Sequence, residues 1–135
     1  MDVWRVETRE GGRGPFISKA GDEAQTKAHN RGSKCRIRDM PGPPIDRRLM
    51  SSGVQFSPDH VFGFNSLNQY RDMACCPVLR EELSRAGFAL RRYEVATHWE
   101  GDHQIVFLKS EAVVVETKDP SQCWGFTGRV DVCYR

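Results

Sequence analysis

His98 and His103 stand five residues apart with Glu100 and Asp102 between them. Imidazole and carboxylate donors at that density are the kind that hold a divalent metal. The spacing is not the helical pair of a catalytic zinc motif. Trp99-Glu100-Gly101-Asp102 reads first as a hairpin turn, so no metal is expected. Arg31, Lys34, Arg36 and Arg38 form a run of cations without an acid among them, which suits phosphate or an acidic protein surface. No aromatic side chain interrupts the run to stack on a base, which weakens a nucleic-acid reading. Gly11-Gly12-Arg13-Gly14 bares backbone to which a ligand can come close. It does not lead into a credible helix, as a dinucleotide-cradling loop would. Cys35, Cys75, Cys76, Cys123 and Cys133 are odd in number and lack a CxxC spacing. Neither a zinc site nor a disulfide framework is indicated, and the adjacent Cys75 and Cys76 are read as packing at a helix junction.

These groups need elements to hold them. Asp2–Thr8 alternates apolar and polar side chains, Trp4 and Val6 against Arg5 and Glu7, and is a strand. The glycines and Pro15 end it. A short polar helix is expected over Asp22–Asn30, then a long irregular loop over 31–60 with Met40-Pro41-Gly42-Pro43-Pro44 at its centre. Ser66-x-x-Gln69 is a capping box that opens a helix. Pro77–Ala86 is a second helix, with Gly87 as its left-handed stop. Phe88–Val95 is a strand. Gln104–Phe107 and Ala112–Val115 are apolar without alternation, the pattern of strands buried on both faces. Ser121–Phe126 is an aromatic connector and Arg129–Tyr134 a terminal strand. The fold class is α+β: one domain over 1–135, a mainly antiparallel sheet, two short helices and a long N-terminal loop. Trp4, Val6, Leu83, Phe88, Ile105, Phe107 and Val114 are expected to share one core.

Composition is that of a globular chain: 135 residues, 39% hydrophobic, 28% charged, net charge +2. No apolar run reaches the length of a membrane span and no signal-peptide core opens the chain. The expected location is therefore the cytoplasm.

The order Val-Trp-Arg-Val-Glu, Gly-Arg-Gly-Pro-Phe, Pro-Gly-Pro-Pro-Ile-Asp, Phe-Gly-Phe-Asn-Ser-Leu, Ala-Gly-Phe, His-Gln-Ile-Val-Phe, spread over residues 3–115, resembles small uncharacterised bacteriophage proteins. Those proteins in turn are weakly similar to a minimal ADP-ribosyltransferase core. The second likeness implies NAD as cofactor, with Arg5, Gly12, Gly14 and Ser66 on the dinucleotide and Gln104 at the catalytic position. There the family carries a glutamate that stabilises an oxocarbenium-like centre, whereas a neutral amide supplies no charge. Each residue also has a plainer role. Arg5 can face solvent or pair with Glu7 or Glu94, Ser66 can simply cap its helix, and Gln104 can satisfy backbone at a strand start.

Three functions compete. The resemblance to phage proteins implies an anti-defence or host-takeover role, binding and inhibiting a host protein or ribonucleoprotein such as a CRISPR effector. Its interface would use Arg31, Lys34, Arg36, Arg38, Trp99 and Trp124, since arginine and aromatic side chains anchor such surfaces. The second is an NAD-dependent ADP-ribosyltransferase acting on a host protein. The third is a nucleotide or nucleic-acid binder using the basic loop. Gln104 in place of a carboxylate tilts the balance toward binding over catalysis.

Overall fold

The computed structural model of the chain describes residues 1–15, 18–33, 47–74, 76–102 and 104–121. Strand β1 (Asp2–Thr8) leads to helix α1 (Lys19–Asn30) and the short helix α2 (Arg47–Ser51). Strand β2 (His60–Gly63), helices α3 (Leu67–Met73) and α4 (Pro77–Arg85) and strand β3 (Phe88–Val95) follow. Then come β4 (His98–Glu100), β5 (Ile105–Leu108) and β6 (Ala112–Lys118), with a 3-10 turn at Lys109–Glu111 between the last two. The strands form two three-stranded antiparallel sheets, ordered β1-β3-β6 and β2-β5-β4. An isolated bridge between Trp4 and Phe64 joins them, closed by hydrogen bonds in both directions. The class is α+β. Among the described residues no helix is long and apolar enough to cross a membrane.

Local chemistry accounts for the helix ends. The Ser66 hydroxyl accepts from the Gln69 amide at 3.2 Å, and the Gln69 side chain reaches back to the Asn65 amide at 2.9 Å. This is a capping box displaced by one residue. Helix α4 begins at Pro77 and stops at Arg85, and Gly87 takes φ 91° before β3 starts. Helix α1 is longer than the expected Asp22–Asn30 because Ser18 caps it, accepting from the Gly21 amide at 3.1 Å. Its buried stripe is Gly21, Ala24 and Ala28, too small to stand out as an apolar period.

Strand β1 sorts its side chains to two different neighbours. Trp4 and Val6 pack with Phe88 and Leu90 against Ala24, Ala28, Tyr70, Leu79 and Leu83 of the helices. Val3 and Tyr93, on the other face, pack with Ile105 and Phe107 of the second sheet. The first sheet is thus covered on both faces, by helices on one side and by strands on the other. The single expected core is two clusters, with the first sheet between them.

Several expectations need correction. The loop over 31–60 is broken by α2, and β2 starts at its end. His98–Glu100 is a strand paired with β5, and the turn comes after it, where the Gly101 amide donates to the Gln104 carbonyl at 2.8 Å. Ile105, Val106 and Phe107 are buried at the centre of the second sheet, as expected. Val113, Val114 and Val115 are not: they are 64%, 46% and 48% exposed. Among the described residues their strand pairs only with β3 and lies at the edge of its sheet, which leaves these side chains largely open.

Candidate functional site

Arg5 and Glu7 follow each other on the face of β1 that meets the second sheet, and β3 sets Arg91 directly opposite Arg5. Like charges opposed across a ladder repel. Glu7 resolves the conflict: Oε1 accepts from Arg5 Nε at 2.9 Å and Oε2 from Arg91 Nη1 at 2.6 Å. The Tyr93 hydroxyl donates to the same Oε2 at 2.6 Å, and Lys109 Nζ stands 3.5 Å from Oε1. Glu7 is fully buried, a position a carboxylate holds only when bonded on both oxygens.

Arg5 fastens the sheets and the glycine turn together. Its Nη1 donates to the Phe62 carbonyl of β2 at 2.7 Å, and its Nη2 to the Gly12 carbonyl at 3.0 Å. The turn itself is closed by the Thr8 amide on the Arg13 carbonyl and by the Arg13 amide on the Thr8 hydroxyl. Gly12 has φ 61°, and a side chain there would strike Lys109, which crosses over it. Arg91 Nη2 reaches the Arg9 carbonyl at 3.2 Å.

Electrostatics follow from this crowding. Burial by itself would raise the Glu7 carboxyl, but the hydrogen bonds from Tyr93 and Arg91 and the charges of Arg5 and Lys109 outweigh it and hold it below its ordinary value. Burial, the hydrogen bond to Glu7 and its charge all push the Tyr93 phenol well up, so it stays neutral and donates. Burial lowers the Arg5 guanidinium, against the opposing pull of Glu7. The Glu7 hydrogen bond raises Arg91.

Of the residues singled out in the sequence, Arg5, Gly12 and Gly14 do come together. A side-chain carbon on Gly14 would lie 3.5 Å from Arg5 Nη2. Ser66 is the cap of α3, two residues beyond the Trp4–Phe64 bridge. Gln104 is buried, one step beyond the Gly63–Ile105 pair that ends the β2–β5 ladder. The Arg31 guanidinium is held to α4 by Glu82 at 2.7 Å and Glu81 at 2.8 Å, which raises its pKa. Lys34, Arg36, Arg38, Trp124 and the strand expected at 129–134 lie outside the described residues, as does His103.

Trp99 lies on the face of the second sheet turned away from the first, half-buried and in register with Phe62 and the fully buried Val106. Its ring is 5.2 Å from that of His60, which in turn is 6.2 Å from Phe56. Phe56 is exposed and also meets Phe62 at 6.0 Å. His60 Nδ1 accepts from the Ser57 amide at 3.0 Å, which orients the ring between its aromatic neighbours. Sequence reasoning passed over Phe56 and His60, because a lone aromatic in a loop carries no period. The pairing of Arg5 with Glu7 was one of the alternatives legible in the sequence and is the one the structure shows, whereas Arg91 and Lys109, whose charges reach Glu7 only in the fold, were passed over.

Comparison with protein families finds a match over residues 1–121 to the family described as Bacteriophage T4 Y00F protein. No curated protein and no solved structure matches the chain. The likeness to small phage proteins is borne out, whereas that to an ADP-ribosyltransferase core finds no such support.

Proposed function

The chain belongs to the bacteriophage T4 Y00F protein family, and from that premise we propose that it serves host takeover or anti-defence by binding a host complex rather than by catalysis. A CRISPR effector is one complex of that kind. The observation that carries this reading is the aromatic group Phe56, His60 and Trp99, in which His60 and Trp99 are half-buried and Phe56 is open to solvent. Large aromatic side chains grouped at a surface are the usual anchors of protein interfaces. The groups that a transferase would need are otherwise engaged. Arg5 is bonded to Glu7, Phe62 and Gly12, Ser66 caps α3, and Gln104 supplies no negative charge for a cationic transition state.

The test is co-purification from a host-like lysate, comparing the native chain with Phe56→Ser and Trp99→Ala. Phe56→Ser alters an exposed residue and leaves the core untouched. Truncating an interface anchor typically costs about 2 kcal/mol or more, so both variants should lose a stoichiometric partner. The intact mass of that partner should be unchanged. An added ADP-ribose on the partner, or brisk nicotinamide release from NAD by the native chain, would overturn the non-catalytic reading. A partner captured equally by both variants would move the interface elsewhere.

A further inference from the structure

One place in the fold gathers more positive charge than its acids neutralise. Arg5, Arg91 and Lys109 converge on Glu7, three cations on a single carboxylate. Two of them reach it from the rim: the Arg91 side chain is 20% exposed and that of Lys109 is 37% exposed. Glu7 is closely bonded by Arg5, Arg91 and Tyr93, while Lys109 Nζ stops at 3.5 Å. That exceeds the roughly 2.7–2.9 Å of a strong charge-assisted hydrogen bond. An ammonium has three N–H donors and a guanidinium five, so both rim residues keep donors beyond the bonds described. The neighbouring turn adds exposed Arg13 against exposed Glu10, and the charge of Arg9 is met by Asp119. Among the described residues the excess of cations over acids at Glu7 therefore stands.

We propose that the mouth formed by Lys109, Arg91 and the Gly11–Gly12 backbone is an anion site, and that it takes the phosphate group of a small molecule. Three cations sharing one carboxylate leave positive charge in excess of it among the described residues, and where that charge is partly buried the excess is costly. A phosphate lying over the turn would offset it, taking the spare donors of both rim residues at once. Gly12 is what lets Lys109 lie over the turn: a side chain there would occupy the space that its ammonium fills. Arg5 does not meet the anion, because its bonds to Glu7, Phe62 and Gly12 fix the turn from behind. The site lies at the junction of β1, β3 and the 3-10 turn, apart from the aromatic face, and stands or falls independently of partner binding.

Inorganic phosphate and a nucleoside monophosphate are the probes, each titrated against chloride at matched ionic strength. The amide resonances of Gly11 and Gly12 and the melting temperature are followed. Both probes should move those two amides and raise the melting temperature above the chloride value. Equal affinity would assign the site to a bare phosphate group, and tighter binding of the monophosphate would assign it to a nucleotide. Lys109→Met should weaken binding roughly tenfold or more, the usual consequence of losing a charged donor. A phosphate response no greater than that of chloride would overturn the site. So would unchanged affinity in Lys109→Met. If that variant does not fold, the native amide map decides: shifts elsewhere with Gly11 and Gly12 unmoved reject the proposal.

Discussion

Arg5 and Arg91 face each other across the β1–β3 ladder, and the Glu7 carboxylate bridges them, one oxygen to each. Two arginines so placed would drive the strands apart without it. The carboxylate is thus the hinge of the inter-sheet layer, although it follows Arg5 on β1 by only two residues. Removing its charge strands two cations in a buried site. Glu7→Gln should lower the unfolding free energy by about 3–5 kcal/mol, the cost typical of breaking a buried pair from one side. Chemical denaturation measures it, and a loss within error of zero would mean that the network is slack.

The same carboxylate makes stability depend on acid. Its folded pKa lies below the ordinary value. Its contribution is therefore present above the unfolded glutamate pKa and is lost as the pH falls through the folded one. Denaturation midpoints should decline over that acid range, and the decline should be shallower in Glu7→Gln. An identical slope in the two proteins would assign acid sensitivity to other carboxylates, among them Asp59 and Asp119, which are also held low.

Tyr93 gives the opposite sign at alkaline pH. Its phenol is raised in the folded protein, so it contributes stability below the unfolded tyrosine pKa and loses it as the pH rises through the folded value. Tyr93→Phe should cost about 1–3 kcal/mol near neutrality, since Glu7 loses a buried donor. It should also remove one late step from the tyrosinate absorbance titration. A titration in which every tyrosine ionises in the ordinary range would contradict the bond.

Hydrogen exchange should separate two apolar runs that look alike in the sequence. Amides of Ile105, Val106 and Phe107 are in the central strand of the second sheet and should be among the slowest. The β6 amides that do not face β3 have no ladder partner among the described residues and should exchange faster. Uniformly slow exchange over 112–118 would mean that this edge is covered in solution.

Gly87 isolates a backbone effect. It holds φ 91°, and a side-chain carbon there would meet nothing within 4 Å. Gly87→Ala and Gly87→Val should each destabilise by roughly 1–3 kcal/mol, more for valine, through conformation alone. A melting temperature unchanged in both would place the residue outside the left-handed region.

What the sequence determined by itself is whatever short-range physics decides. The Ser66 cap, the Pro77 start and Gly87 stop of α4, and the period-two face of β1 each depend on residues a few positions apart. Strands β1 and β3 accordingly have the expected bounds. Helix α1 was harder to delimit because glycine and alanine bury too little area to mark a face. The alternation in β1 separated Trp4 and Val6 from Arg5 and Glu7, but it could not tell whether the polar face met water or another sheet. Only the tertiary structure decided that, and with it the meaning of both residues. Glu7 meets Arg91 across 84 positions and Lys109 across 102, and no local pattern encodes a contact at such separation. The valines of β6 tell the same story in reverse: identical apolar content is core in a central strand and surface at an edge, because sheet order sets how many neighbours a strand has.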